Sequence, residues 1–187
     1  MKKLGRASRP SSVREMCYIG ISVAVLAVLA QISIPLPFGV PLTLQTFAVM
    51  LVGIVLGAKK AAIALLVYLL LGAFGIPVFT PAGGASGFGR IVGAWGGFLM
   101  SFPLMAFVIG LGAETRKDIL LLAGLVAGVV INLSAGMLWF AFITNAAISE
   151  AFVAAFAPFI LAEIIKIAVL LFIQKPIRAV HIYGASR

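Results

Sequence analysis

Apolar residues run along this chain in long blocks, and polar residues collect in the gaps between them. Six blocks stand out, at residues 17–33, 42–57, 61–75, 92–111, 119–142 and 151–173. None shows the two-residue alternation of a half-buried strand. A helix needs about 20 apolar residues to cross a bilayer, and in lipid every backbone group needs a partner within the protein. The blocks are therefore read as helices. The second and third are short, so they are expected to start or end inside the protein rather than at a lipid surface. The predicted fold is an all-α integral membrane protein. A single domain over residues 17–174 forms a bundle of six transmembrane helices, with basic tails at 1–16 and 175–187.

Composition strengthens this reading. Of 187 residues, 63% are hydrophobic and 10% charged, against about 45–50% and about 25% in a soluble domain. Too little polar surface is present to cover a water-exposed globule, which argues against a soluble enzyme. The net charge of +9 would point to nucleic acid in a soluble protein; here its distribution reports topology instead. Lys2, Lys3, Arg6, Arg9 and Arg14 precede the first block, Lys59 and Lys60 follow the second, Arg116 and Lys117 follow the fourth, and Lys175, Arg178 and Arg187 follow the last. These are 12 of the 14 basic residues. The positive-inside rule puts both termini in the cytoplasm. The first block has no small-residue cleavage site after Ser33 and is read as a retained helix. One cysteine, Cys17, excludes an internal disulfide and any Cys-based metal centre.

The outer loops differ in kind from the inner ones. Residues 34–41 (IPLPFGVP) hold three prolines and no charge, and residues 75–90 (GIPVFTPAGGASGFGR) are apolar, glycine-rich and end in arginine. Such loops are expected to fold back over the bundle as a lid or pocket wall. Two nucleotide-like patterns fail on inspection. GFGRIVG at 87–93 has Val92 where the third glycine belongs, and GIVLGAKK at 53–60 has Ala58 and Lys60 where a phosphate loop needs Gly and Ser/Thr. The chain thus carries no evident ATP site. The sole histidine, His181, lies in the C-terminal tail, which leaves no Ser-His-Asp triad.

Ionisable residues inside a bilayer are costly and mark function by default. Glu163 and Lys166 are such residues, three apart and so on one face of the sixth helix. Counted along an unbroken helix, Glu163 is expected roughly 18 Å from its outer end. Asn132 is expected at a similar depth on the fifth helix, and Thr43 and Gln45 near the outer end of the second. With Arg90 from the outer loop, these groups describe a mostly apolar small-molecule site with a few orienting polar groups. Two cations against one acid favour an anionic or acceptor-rich ligand. Phe38, Phe79, Phe88 and Trp95 are candidates for its apolar part, as well as for core or interface packing. Gly53/Gly57, Gly93/Gly97 and Gly124/Gly128 are small-residue pairs suited to close helix packing, while Gly20, Ala24 and Ala27 form a stripe suited to docking a partner.

The stretches PLTLQTFAV (41–49), YLLLGAFGIPVF (68–79), the glycine-rich run through Gly84 to Arg90, and Gly96-Gly97-Phe98 resemble the BioY family. These are the biotin-specific S components of energy-coupling-factor transporters. The family's late Gly-Asp-Leu-Ile-Lys reads here Ala162-Glu163-Ile164-Ile165-Lys166. The resemblance implies a six-helix S component of a prokaryotic cytoplasmic membrane that captures biotin from outside. It further implies docking to a membrane T component and two cytoplasmic ATPases, with the first-helix small residues as the docking face. No cofactor is expected in this chain. Arg90, Glu163, Lys166, Gln45, Thr43, Asn132, Phe79 and Gly84 are the expected ligand-binding residues. Two other readings stay open: an S component for another vitamin, and a stand-alone transporter with Glu163 carrying a proton.

Overall fold

The computed structural model describes residues 12–35, 41–81 and 87–179. Phe38, Gly84, His181 and most of the tail lysines and arginines lie outside the described residues. The chain is mostly helical: α1 (Ser12–Ala30), α2 (Gln45–Leu56), α3 (Ala58–Ala73), α4 (Phe88–Val92), α5 (Gly96–Glu114), α6 (Asp118–Thr144), α7 (Ile148–Ala155) and α8 (Ala157–Ala179). Four of these, α1, α5, α6 and α8, are long and apolar enough to cross a membrane. Helices α2 and α3 have 12 and 16 residues.

Helix α5 packs centrally, against α2, α3 and α6. Its contact with α6 is close because glycines face the partner helix on both sides. A Cβ on Gly97 would sit 2.3 Å from Trp139 Cβ, and one on Gly112 would sit 2.4 Å from the Leu120 carbonyl oxygen. Gly124 and Gly128 meet Val108, Gly112 and Ile109 from the other side. Gly97, Gly124 and Gly128 thus pack helices within the bundle, as expected, whereas Gly93 meets only the carbonyls of its own turn. Gly57 has a different task. It joins α2 to α3 alone, at φ 74° and ψ 176°, a conformation open essentially only to glycine. Lys59 and Lys60 accordingly lie in the first turn of α3 rather than in a loop.

Several boundaries depart from the pattern-based expectation. Part of the 34–41 loop forms an antiparallel hairpin, β1 (Ser33–Pro35) with β2 (Pro41–Thr43), in which Ser33 pairs with Thr43. Thr43 is therefore a strand residue, not part of the second helix. The fourth block is not helical from its start: Val92 ends α4, the chain turns at Gly93–Trp95, and α5 begins only at Gly96. Gly96 is required at that break, since a Cβ there would fall 1.6 Å from the Ile91 carbonyl oxygen. The sixth block is two helices, broken at Phe156. Pro158 accounts for the break, because its ring removes an N–H and collides with the carbonyl four residues earlier. Glu163 consequently lies six residues into α8, about 9 Å from its start, rather than 18 Å down an unbroken helix.

Two contacts tie helix ends together. Lys60 Nζ lies 2.7 Å from Glu15 Oε1, linking α3 to α1. The Ala58 N–H donates to Glu114 Oε1 at 2.8 Å, so the end of α5 caps the start of α3.

Candidate functional site

The polar residues inside the bundle converge on one partly open cavity bordered by α2, α5, α6 and α8. Helices α2 and α8 supply its charged wall. Lys166 Nζ donates to Glu163 Oε1 and to Thr46 Oγ1, both at 2.7 Å. The Thr46 hydroxyl in turn donates to the same Oε1 at 2.7 Å. The ion pair is nearly dry, with Glu163 3% and Lys166 8% exposed, so hydrogen bonds must offset a substantial desolvation cost. They do so for Oε1 only. Glu163 Oε2 is buried and has no hydrogen-bond partner among the described residues.

The neutral polar groups are held by the scaffold. Gln45 opens α2 and donates to Tyr68 Oη at 2.6 Å; the Tyr68 hydroxyl in turn donates to the Val78 carbonyl at 2.8 Å. The Gln45 backbone N–H meets Thr43 Oγ1 at 3.3 Å. Asn132 Nδ2 donates to the Phe98 carbonyl at 2.9 Å and to Ser101 Oγ at 2.8 Å. Its amide nitrogen thus fastens α6 to α5, while the residue still borders the cavity.

Arg90 reaches the cavity from α4 and is 5% exposed. Burial pushes its guanidinium below its ordinary pKa. Thr80, in the segment after α3, borders the cavity too, with its hydroxyl buried and without a hydrogen-bond partner among the described residues. Trp95, Phe98, Leu99 and Phe102 form an apolar wall from one face of α5, completed by Leu133 and Phe159. Trp95 is fixed by stacking on Phe140 at 4.6 Å between ring centroids.

Arg90, Glu163, Lys166, Gln45, Thr43, Asn132 and Trp95 thus come together around one space. Phe79 does not border it. Its ring lies against Gly72, where a Cβ would be 2.1 Å away, and meets Tyr68 edge-on at 5.4 Å. Phe88 is exposed. Sequence reasoning missed Thr46, Thr80, Phe98, Phe102 and Phe159. The helical spacings 95, 98, 99, 102 and 159, 163, 166 were the available signal for three of them. On α1, Gly20 and Ala24 are exposed and Ala27 is half-buried; nothing lies within 4 Å of where a Gly20 Cβ would be.

Known proteins are similar to this chain in sequence, and a solved structure is similar in fold. The biotin transporter BioY2 of Lactococcus lactis is 43% identical over 150 residues, covering 79% of this chain and 81% of its own. The biotin transporter BioY of Thermotoga maritima is 42% identical over 159 residues, covering 84% and 91%. A crystal structure of the S-component for biotin from an ECF-type ABC transporter superposes with a TM-score of 0.79 at 27% identity, covering 89% of this chain and 92% of that one. The BioY family profile matches residues 1–182. From its motifs, its fold and this match along nearly its whole length, the chain belongs to the BioY family.

Proposed function

We propose that this chain is the biotin-capturing S component of an energy-coupling-factor transporter in a prokaryotic cytoplasmic membrane. One observation carries the reading. In a BioY-family chain, a dry acid–base pair borders a cavity lined by aromatic and polar side chains and keeps one carboxylate oxygen without a hydrogen-bond partner among the described residues. Biotin offers two ureido N–H donors, a strong ureido acceptor, an apolar sulfur ring and a carboxylate. Glu163 Oε2 accepts a ureido N–H, and Lys166 donates to the ureido oxygen. Trp95, Phe98 and Phe159 enclose the apolar ring. Arg90 takes the carboxylate, for which its planar fork of donors is suited. Asn132 and Gln45 hold the walls in register.

In this reading α1, α2, α3, α5, α6 and α8 form the six-helix bundle, with both termini cytoplasmic. Lysines and arginines near the ends supply one support. The Glu15–Lys60 pair and the Glu114 cap supply another, since they gather the start of α1, the start of α3 and the end of α5 at one end. The paired strands β1 and β2, residues 74–81 and 87–95, and α7 then face outward. The exposed Gly20–Ala24 face of α1 docks the T component, and ATP hydrolysis by two partner ATPases reorients the loaded bundle.

The test is to purify the chain in mild detergent, identify any retained small molecule by mass spectrometry, and titrate biotin and other vitamins calorimetrically. Selective biotin binding is expected. Preference for another vitamin, or no binding at all, would overturn the proposal.

A further inference from the structure

We infer that Thr80 touches the ligand, its hydroxyl donating to the carboxylate at the outer end of bound biotin; this rests on the biotin reading above. The starting observation is a buried polar atom with nothing to bond. Thr80 is 8% exposed, it borders the cavity, and its Oγ1 has no hydrogen-bond partner among the described residues. Buried hydroxyls are satisfied in the large majority of structures, so an exception calls for an explanation. Thr80 faces the space in which the ligand is proposed to lie.

The backbone leading to Thr80 is held from two helices. Gln31, just beyond α1, donates through Nε2 to the Phe79 carbonyl at 3.2 Å and approaches the Pro77 carbonyl at 3.5 Å. Tyr68 of α3 donates to the Val78 carbonyl at 2.8 Å. Three successive carbonyls are gripped immediately before Thr80. The Phe79 ring, wedged on Gly72 and Tyr68, fixes the same segment by packing. A hydroxyl presented from so constrained a backbone has little ordering left to lose on binding.

The chemistry of the neighbourhood selects the carboxylate. Thr80 and Arg90 both belong to the segment between α3 and α5, whereas Glu163 and Lys166 lie six and nine residues into α8. A biotin held by its ureido end at Glu163 presents its carboxylate to Thr80 and Arg90. A carboxylate has about four acceptor sites, more than one guanidinium fork fills, so a hydroxyl bordering the same cavity as the arginine completes its recognition.

The experiment is calorimetric titration of the purified full chain with biotin and with biotin amide. Variants are Thr80→Val, which keeps the shape and removes the hydroxyl, and Thr80→Ser, which keeps the hydroxyl. Thr80→Val is expected to weaken biotin binding about tenfold or more, as for loss of a hydrogen bond to a charged group. It should weaken amide binding by a clearly smaller factor, and Thr80→Ser should stay within about threefold of wild type. If Thr80→Val proves unfolded by size exclusion, Thr80→Ala compared with Thr80→Ser supplies the same contrast. Wild-type binding with no loss in the hydroxyl-free variant would overturn the inference and leave the biotin reading standing. Equal losses for acid and amide would overturn the carboxylate contact. Failure of the wild type to bind biotin would remove the underlying reading itself.

Discussion

Replacing Lys166 with methionine removes an ammonium that makes two hydrogen bonds of 2.7 Å while leaving the aliphatic volume nearly unchanged. What remains is a Glu163 carboxylate at 3% exposure, with only the Thr46 hydroxyl on one oxygen and no partner among the described residues on the other. Breaking one side of a buried pair typically costs about 3–5 kcal/mol, and a lower melting temperature is expected. Biotin affinity should fall as well, by about 2 kcal/mol or roughly 30-fold, through the lost donor and the loosened carboxylate. A structural role alone would produce the first effect, so the double variant Glu163→Gln/Lys166→Met decides. It buries no net charge and no unpaired ion, and should recover most of the melting temperature. Its affinity should stay at least as poor as that of the single variant, because the carboxylate and the ammonium are both gone. Titration calorimetry and thermal melts on the same preparations give the two readouts. Wild-type affinity in Lys166→Met, or affinity restored together with stability in the double variant, would refute the assignment of this pair to the ligand.

The remaining expectations are simpler. Arg90→Ala should erase most of the affinity difference between biotin and biotin amide, a comparison in which general loosening of the segment cancels; equal loss for both would mean that Arg90 only orders its surroundings. Tyr68→Phe leaves Gln45 Nε2 and the Val78 carbonyl without the partner they now share, and should lower stability by about 1–3 kcal/mol, read from a thermal melt. Gly96→Ala collides with the Ile91 carbonyl and should yield protein that melts earlier or elutes as aggregate. Changing Gly20 and Ala24 to leucine should spare biotin binding by the isolated chain but abolish co-purification with partner subunits; loss of binding would mean that this face packs inside the bundle.

Much of the site was legible because a membrane interior leaves so few polar residues to choose from. Glu163 and Lys166 stand out as charges in an apolar block, and helical spacing alone puts them on one face. Arg90 was legible as the one basic residue, besides Lys166, outside the clusters that the positive-inside rule assigns to the cytoplasm. Thr46 and Thr80 were not, since a threonine among apolar residues commonly bonds its own helix and only three-dimensional accounting shows otherwise. The helix breaks were missed for a related reason. A hydropathy block does not register Pro158 or the Gly93–Gly96 turn, because neither interrupts the run of apolar residues. Helix α4 was not legible either, because its residues 88–91 continue a glycine-rich loop in the sequence; the Gly93–Trp95 break is what lets Arg90 sit on a helix of its own.

Helix α2 has twelve residues, which makes it about 18 Å long beside a hydrocarbon slab of about 30 Å. In the orientation proposed above, its deficit of about 12 Å falls on the outer side, where Gln45 and Thr46 begin the helix and border the cavity. A captured molecule is therefore already sunk into the thickness of the membrane before any partner has spent ATP. The distance left to travel is shorter than the bilayer, and the mechanical stroke asked of the assembled transporter shrinks in proportion.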